Sequence, residues 1–344
     1  MSAPAPIRRQ SGPGGGPGGV PAAIALSPIL SARYREQHLE RVAAAAPGSR
    51  LVSVSLEGLA DSDLSDVEVL LRGPLPMGIF DRLLARCPRL MWVHSATAGV
   101  ERVLTPTALE RGLAITNARG VFSDPIAEYV MMMVLAVSRR LPQLLELQRE
   151  RTWQPLEATE MRELTVGVVG LGSIGRRVAE LALGFGCRVV ATRRSAAAEP
   201  DLDERIETLP AEGLPQLVAE SDFIVLALPL TADTEDTFDA ELLAQAKPGA
   251  WLINVARGAL VDERALVRAL REGPLGGAVL DAFRQEPLPA DSTLYDVPNL
   301  IITPHTAWSS RRVLDRSIAL FCDNLERFRR GEPLENLVDP TAGY

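Results

Sequence analysis

Arg257, Glu286 and His305 each follow a short apolar run. The three stretches read Leu252-Ile-Asn-Val-Ala-Arg257-Gly, Leu280-Asp281-Ala-Phe-Arg-Gln-Glu286-Pro-Leu and Ile302-Thr-Pro-His305-Thr-Ala-Trp308. A guanidinium offers a fixed fork of donors that can grip a carboxylate and polarise a neighbouring carbonyl. An imidazole can give a proton to the carbonyl oxygen as a hydride reaches the carbon, and a carboxylate beside it orients the ring and favours its protonated form. That is the equipment needed to reduce a 2-keto acid. Of the three histidines, His38, His94 and His305, only the last has the right placement, among the strand-end stretches that carry Arg257 and Glu286. Singly, such an arginine is more often a surface ion pair and such a histidine a packed one; the set, with Pro304, carries more weight than its members.

A hydride donor is suggested by Leu164-Thr-Val-Gly-Val-Val-Gly170-Leu-Gly172-Ser173-Ile174-Gly175-Arg176, a G-x-G-x-x-G pattern between a strand-like and a helix-like stretch. Gly170 permits the tight turn, Gly172 lets backbone approach a pyrophosphate, and Gly175 allows helix and strand to pack closely. The N–H groups opening the helix at Ser173 and Ile174 then face the phosphates. The next strand runs Cys187-Arg-Val-Val-Ala-Thr and ends at Arg193, Arg194 and Ser195. An NAD site places a carboxylate there, about 20 residues past the glycines, yet none occurs between Cys187 and Ala198. Two guanidinium groups and a hydroxyl suit a ribose 2′-phosphate, so NADP(H) is favoured over NAD(H). Asp281 is read as the partner of the nicotinamide carboxamide.

These residues need elements to hold them. Ala22–Leu26, Leu51–Leu56, Val67–Leu71, Leu90–Val93 and Leu113–Thr116 read as buried strands, alternating with helical stretches such as Ile79–Arg86. A second block repeats the rhythm at Leu164–Val169, Cys187–Ala191, Phe223–Leu228, Ala250–Val255, Ala278–Leu280 and Leu300–Thr303, with helical patterns at Ile174–Leu183 and Glu263–Arg271. The pattern predicts an α/β chain with parallel sheets covered on both faces. Ser123-Asp124-Pro125 reads as a helix start, and Ile126–Leu147 as one long apolar helix, in a crossover or a subunit interface. An amphipathic helix over Arg311–Arg330 is expected to return to the first domain. The expected division is a tail at 1–20, a substrate-binding domain from 21–117 and 306–344, and a dinucleotide-binding domain at 118–305. In an open α/β sheet ligands bind beyond the carboxyl ends of the strands, the edge where all these polar residues fall.

Composition narrows the partners. A length of 344 residues fits two domains, and 47% hydrophobic with 23% charged residues is ordinary for a globular chain. The net charge of −8 argues against nucleic acid or an anionic membrane surface as partner. Cys87, Cys187 and Cys322 have no spacing for a disulfide framework or a metal site. No apolar run reaches the roughly 20 residues of a membrane span. The Gly- and Pro-rich start lacks a signal peptide's apolar core and reads as disordered, and the expected compartment is the cytoplasm.

The chain resembles the D-isomer-specific 2-hydroxyacid dehydrogenases over nearly its whole length after the tail. The resemblance rests on Gly170–Arg176, Leu228-Pro229-Leu230-Thr231, Ile253-Asn-Val255-Ala256-Arg257-Gly258, Leu280-Asp281-Ala-Phe, Glu286-Pro287-Leu288 and Pro304-His305. It implies two flavodoxin- and Rossmann-like domains with a cleft between them and a homodimer built through the nucleotide domain. It implies further that Arg257 binds substrate, His305 is the acid/base, Glu286 hydrogen-bonds it, and Leu228, Pro229, Val255 and Ala256 line the cofactor. The loop His94-Ser-Ala-Thr-Ala98-Gly99-Val100 is similar to the family's carboxylate-binding loop, in the version found in glyoxylate and hydroxypyruvate reductases. The missing acidic ribose partner departs from the family's NAD pattern. The product implied is a D-2-hydroxy acid. Two other readings compete: a formate dehydrogenase of the superfamily, against which Glu286 counts because those enzymes carry glutamine there, and a nucleotide-sensing corepressor on the same fold, which shares His305-Thr-Ala-Trp308.

Overall fold

The computed structural model describes residues 19–29, 34–194 and 202–340. Ser195, and the tail expected at 1–20 except Gly19 and Val20, lie outside the described residues. The chain divides into two compact units, Met1–Phe122 with Ser310–Tyr344, and Ser123–Ser309. Among the described residues no helix is long and apolar enough to cross a membrane.

In the first unit β1 (Ala23–Leu26), α1 (Glu36–Ala45), β2 (Arg50–Ser53), β3 (Val67–Arg72), α2 (Met77–Arg86), β4 (Trp92–Ser95), α3 (Pro106–Glu110) and β5 (Ala114–Thr116) follow in turn. The strands form a parallel sheet ordered β2-β1-β3-β4-β5. They read as unbroken apolar runs because both faces are covered. Alternate residues feed two cores. Ala23, Ala25, Leu70 and Val93 join Phe80, Leu83 and Leu84, whereas Ile24, Leu26, Val69, Leu71 and Trp92 meet the chain's last helix. That helix, Val313–Arg330, supplies Ile318, Phe321, Leu325 and Phe328, and Trp92 stacks on Phe321 and Phe328 with ring centres 5.4 and 5.6 Å apart. The amphipathic end of the sequence thus packs on the sheet that its beginning builds.

The second unit opens with α4 (Ser123–Ser138) and α5 (Leu141–Arg149), followed by β6 (Thr165–Val169), α6 (Ser173–Gly184), β7 (Arg188–Thr192) and β8 (Ile206–Leu209). Then come α7 (Leu214–Glu220), β9 (Phe223–Leu226), α8 (Ala240–Leu243), β10 (Trp251–Asn254), α9 (Glu263–Arg271), β11 (Gly277–Leu280) and β12 (Leu300–Ile302). Seven parallel strands lie in the order β12-β11-β10-β9-β6-β7-β8. The order reverses between β6 and β9, the switch point where such sheets open a crevice. Their last residues form one row across the sheet: Ile302, Leu280, Asn254, Leu226, Val169, Thr192 and Leu209 are paired neighbour to neighbour. The loops of this unit discussed below start from that row.

Two sequence expectations are corrected. Ile126–Leu147 is not one helix: Arg140 takes a left-handed φ of 59° between α4 and α5. Pro142, in the first turn of α5, has no N–H to continue the preceding helix. Apolar periodicity ran through the break unmarked. The strand β8 was not anticipated, because at the sheet's edge only Ile206 is buried while Glu207 and Thr208 face solvent.

Candidate active site

The glycine loop leaves the row after β6, beside the switch point. Gly170 has φ 96°, and a Cβ there would lie 2.9 Å from both the Ala227 carbonyl oxygen and Leu228 Cβ, the turn after β9. At Gly175 a Cβ would fall 2.0 Å from the Gly170 carbonyl oxygen, so α6 can approach β6 only with glycine at this point. Gly172 differs. Among the described residues, its two chain neighbours aside, nothing lies within 4 Å of a Cβ there. Internal packing does not demand that glycine, whereas a ligand lying on the backbone would. Gly172 is also the residue before α6, whose 12 residues begin at Ser173 and Ile174. The first N–H groups of a helix have no partner within it, and its dipole favours negative charge there. These features fit a dinucleotide's pyrophosphate.

One strand outward, Arg193 donates its backbone N–H to Leu209 O and begins the loop after β7. Arg194 follows and is exposed. On the other side of the glycine loop lie Leu228 and Pro229 after β9, then Val255 and Ala256 after β10, the last two buried. The glycine loop therefore stands between the strand end that carries two arginines and the strand ends that carry the candidate catalytic groups. A dinucleotide requires that order, with its pyrophosphate between adenosine and nicotinamide.

Arg257 follows β10 in a turn shaped by Asn254, which is fully buried. The Asn254 side chain donates to Arg257 O at 2.9 Å and accepts from the Ala256 N–H at 3.0 Å. The Arg257 guanidinium donates through Nη1 to Ala256 O at 2.8 Å. Glu286, past β11, accepts from the Phe283 N–H at 3.0 Å through Oε1. Through Oε2 it meets His305 Nδ1 at 2.8 Å. With Nδ1 committed to Glu286, Nε2 is the ring nitrogen left to exchange a proton.

The charges follow from these contacts. The hydrogen bond that His305 donates to the Glu286 carboxylate raises the pH at which the imidazolium loses its proton, against burial and the positive charge of Arg257. Burial pushes the Glu286 carboxyl up, but hydrogen bonds from His305 and the Phe283 N–H, with the charges of His305 and Arg257, bring it below the usual carboxylate range. Arg257 is thus close enough to act on both members of the pair. Arg257, Glu286 and His305 are brought together in one unit.

Asp281 is 2% exposed and carries a role the sequence did not suggest. Its Oδ1 accepts from the Thr303 hydroxyl at 2.6 Å and the Thr306 N–H at 2.8 Å; its Oδ2 accepts from the Ala307 N–H at 2.9 Å. All three donors belong to the loop of His305. A carboxylate has room for about four such bonds, so the expected carboxamide contact competes for what remains.

Ala98 and Gly99 belong to the first unit, in the loop after β4. Asn117 Nδ2 donates to Ala98 O at 2.9 Å, and the Thr97 hydroxyl donates to Gly99 O at 2.9 Å. In a trans peptide the N–H points opposite its carbonyl. Tying those two carbonyls therefore turns the N–H groups of Gly99 and Val100 the other way. Asn254, Asn117, Thr97 and Thr303 were not singled out from the sequence; Asn254, Thr97 and Thr303 lay inside quoted stretches and carried no signal beyond a polar residue near a strand end.

Comparison with known proteins adds independent findings. The family model described as the D-isomer specific 2-hydroxyacid dehydrogenase NAD binding domain matches residues 131–307. A glyoxylate reductase of Korarchaeum cryptofilum is 33% identical over 300 residues, 86% of this chain and 87% of that relative. The glyoxylate/hydroxypyruvate reductase B of Pectobacterium carotovorum subsp. carotovorum is 35% identical over 75% of this chain and 81% of its own. Among solved structures, a D-isomer specific 2-hydroxyacid dehydrogenase from Xanthobacter autotrophicus Py2, in complex with NADPH and MES, superimposes with a TM-score of 0.83 at 31% identity, covering 94% of this chain and 99% of that one. An NADPH-dependent glyoxylate/hydroxypyruvate reductase from Sinorhizobium meliloti, in complex with NADP and sulfate, gives 0.81 at 30% identity, covering 94% and 100%.

Proposed function

Because the chain belongs to the D-isomer specific 2-hydroxyacid dehydrogenase family, we propose that it reduces the C2 carbonyl of small 2-keto acids of the glyoxylate or hydroxypyruvate kind, using NADPH and giving D-2-hydroxy acids. The observation that carries this reading is the 2.8 Å pairing of His305 with Glu286, within the field of Arg257. When bound, the nicotinamide supplies the hydride. Arg257 holds the substrate carboxylate and draws electron density toward the carbonyl oxygen. His305, kept protonated by Glu286, gives that oxygen a proton from Nε2. The N–H groups near Ala98 and Gly99 bind the substrate carboxylate as well.

Gly170, Gly172, Ser173, Ile174 and Gly175 hold the pyrophosphate. Leu228, Pro229, Val255, Ala256 and Asp281 flank the nicotinamide end, close to His305. Arg193 and Arg194 take the 2′-phosphate by charge-assisted hydrogen bonds; Ser195 is their expected third partner. The NADPH and NADP complexes of structural relatives support that preference.

The same reading makes the protein a homodimer. The helix α5 has no buried residue and exposes Leu141, Leu144 and Leu145, near in sequence to exposed Met132 and to Trp153, which is 100% exposed. That much unpaired apolar surface is unusual on a monomer.

The test is a panel of 2-keto acids assayed with NADPH and with NADH. The reading expects turnover of glyoxylate and hydroxypyruvate, faster with NADPH, and a D-configured product from hydroxypyruvate. No reduction of any 2-keto acid by a protein that binds NADPH would contradict it.

A further inference from the structure

The His305 loop is anchored by a chain of side chains in which the sense of each hydrogen bond can be deduced. Thr303 donates its hydroxyl proton to Asp281 at 2.6 Å. A hydroxyl has one proton to give. The Tyr129 hydroxyl, 2.6 Å from the same Thr303 oxygen, must therefore be the donor in that pair. Tyr129 stands on α4 and is buried, and burial pushes its hydroxyl up to about 12, so it holds its proton at any working pH. The order is Tyr129 to Thr303 to Asp281, and Asp281 also collects the N–H groups of Thr306 and Ala307.

Between these anchors the backbone is strained. His305 has φ 50°, a left-handed conformation that L-residues adopt only where their surroundings impose it. Its N–H turns back to Thr303 O at 3.0 Å. Neighbouring bonds on both sides of His305 end on the one Asp281 carboxylate, which makes that carboxylate the clamp on the strained residue.

The geometry points to Tyr129 and Thr303 as positioning residues for the reduction: their hydroxyls fix Asp281, and Asp281 holds residues 303–307 in the shape that sets His305 against Glu286. This rests on the reading of His305 as proton donor. Neither hydroxyl needs to touch substrate or cofactor. The charged groups acting on His305 are Glu286, Asp281 and Arg257. A loosened loop weakens the Glu286 contact and lets His305 lose its proton at lower pH.

The test compares Tyr129→Phe, Thr303→Val, Thr303→Ser and the Tyr129→Phe/Thr303→Val double variant, with glyoxylate and NADPH. Thr303→Val should lower kcat roughly tenfold and Tyr129→Phe about three- to fivefold, with KM for glyoxylate within about twofold of the parent. The alkaline fall of kcat/KM should begin at lower pH in both. Thr303→Ser should restore most of kcat, and the double variant should be no worse than Thr303→Val, since one chain cannot be broken twice. Turnover and alkaline limb unchanged in both single variants, while His305→Gln is inactive, would overturn the positioning role and leave the proton-donor reading intact. So would losses that merely follow the fraction of folded protein with the pH limb unmoved. Turnover that survives in His305→Gln would instead remove the reading beneath it.

Discussion

Gly258 and Phe283 touch so closely that a Cβ on the glycine would lie 2.0 Å from the Phe283 carbonyl carbon. Gly258 follows Arg257, and the Phe283 N–H holds Glu286 Oε1. The loops after β10 and β11 are therefore seated on one another, and the spacing of Arg257 from the Glu286–His305 pair depends on a missing methyl group. Gly258→Ala should lower kcat/KM about a hundredfold, the scale at which an ångström of misplacement is felt. Overpacking should also cost about 1–3 kcal/mol of stability. Steady-state kinetics beside thermal unfolding of the same samples checks both.

The pH dependence has a definite sign. On the proposed function reduction needs His305 protonated, and Glu286 raises the pH at which it loses its proton. The rate of 2-keto acid reduction should be full below that raised value and fall as pH climbs through it, whereas oxidation of the hydroxy acid should rise. Glu286→Gln removes the charge that favours imidazolium and should move the alkaline limb to lower pH. The ion pair's own stabilisation follows the same rule from both sides. It is lost with rising pH as His305 deprotonates and with falling pH as the lowered Glu286 carboxyl protonates. Rate profiles in both directions test this.

Arg193 and Arg194 are expected to decide between the two nicotinamide cofactors. Replacing both by Ser should cut kcat/KM for NADPH by about 10- to 100-fold, the worth of one or two charge-assisted hydrogen bonds. NADH should be affected no more than about threefold, because it has no group to lose. The measured quantity is the ratio of the two specificity constants, parent against variant.

Much of this was legible because a parallel sheet brings its strand ends to one edge. The apolar runs located eleven of the twelve strands among the described residues, and Arg193, Arg257, Glu286 and His305 fell beyond the row from Ile302 to Leu209. The glycine loop was readable for the same reason, since tight turn and close packing each leave a glycine in place. Side-chain chains were not readable. Tyr129 and Thr303 meet across 174 residues with no periodicity between them, and α4 looked like packing alone. The break before α5 was visible only as Pro142, which apolar spacing ignores.

Thr97 and Asn117 offer a check on the first unit's loop. Thr97→Val releases Gly99 O and Asn117→Ala releases Ala98 O, so each frees one peptide to turn. Both should raise KM for the keto acid by about five- to tenfold, with smaller changes in kcat and none in NADPH affinity. Initial rates over substrate concentration, with cofactor binding followed by fluorescence, separate these effects.

The most direct measurement is single-turnover oxidation of bound NADPH by glyoxylate in His305→Gln at neutral pH, with NADPH affinity determined on the same preparation. The account expects hydride transfer slowed by about 10²- to 10⁴-fold, the usual contribution of a positioned acid, with NADPH bound as tightly as before. Hydride transfer within a few-fold of the parent would contradict it, because a carboxamide in place of the imidazole cannot supply the proton.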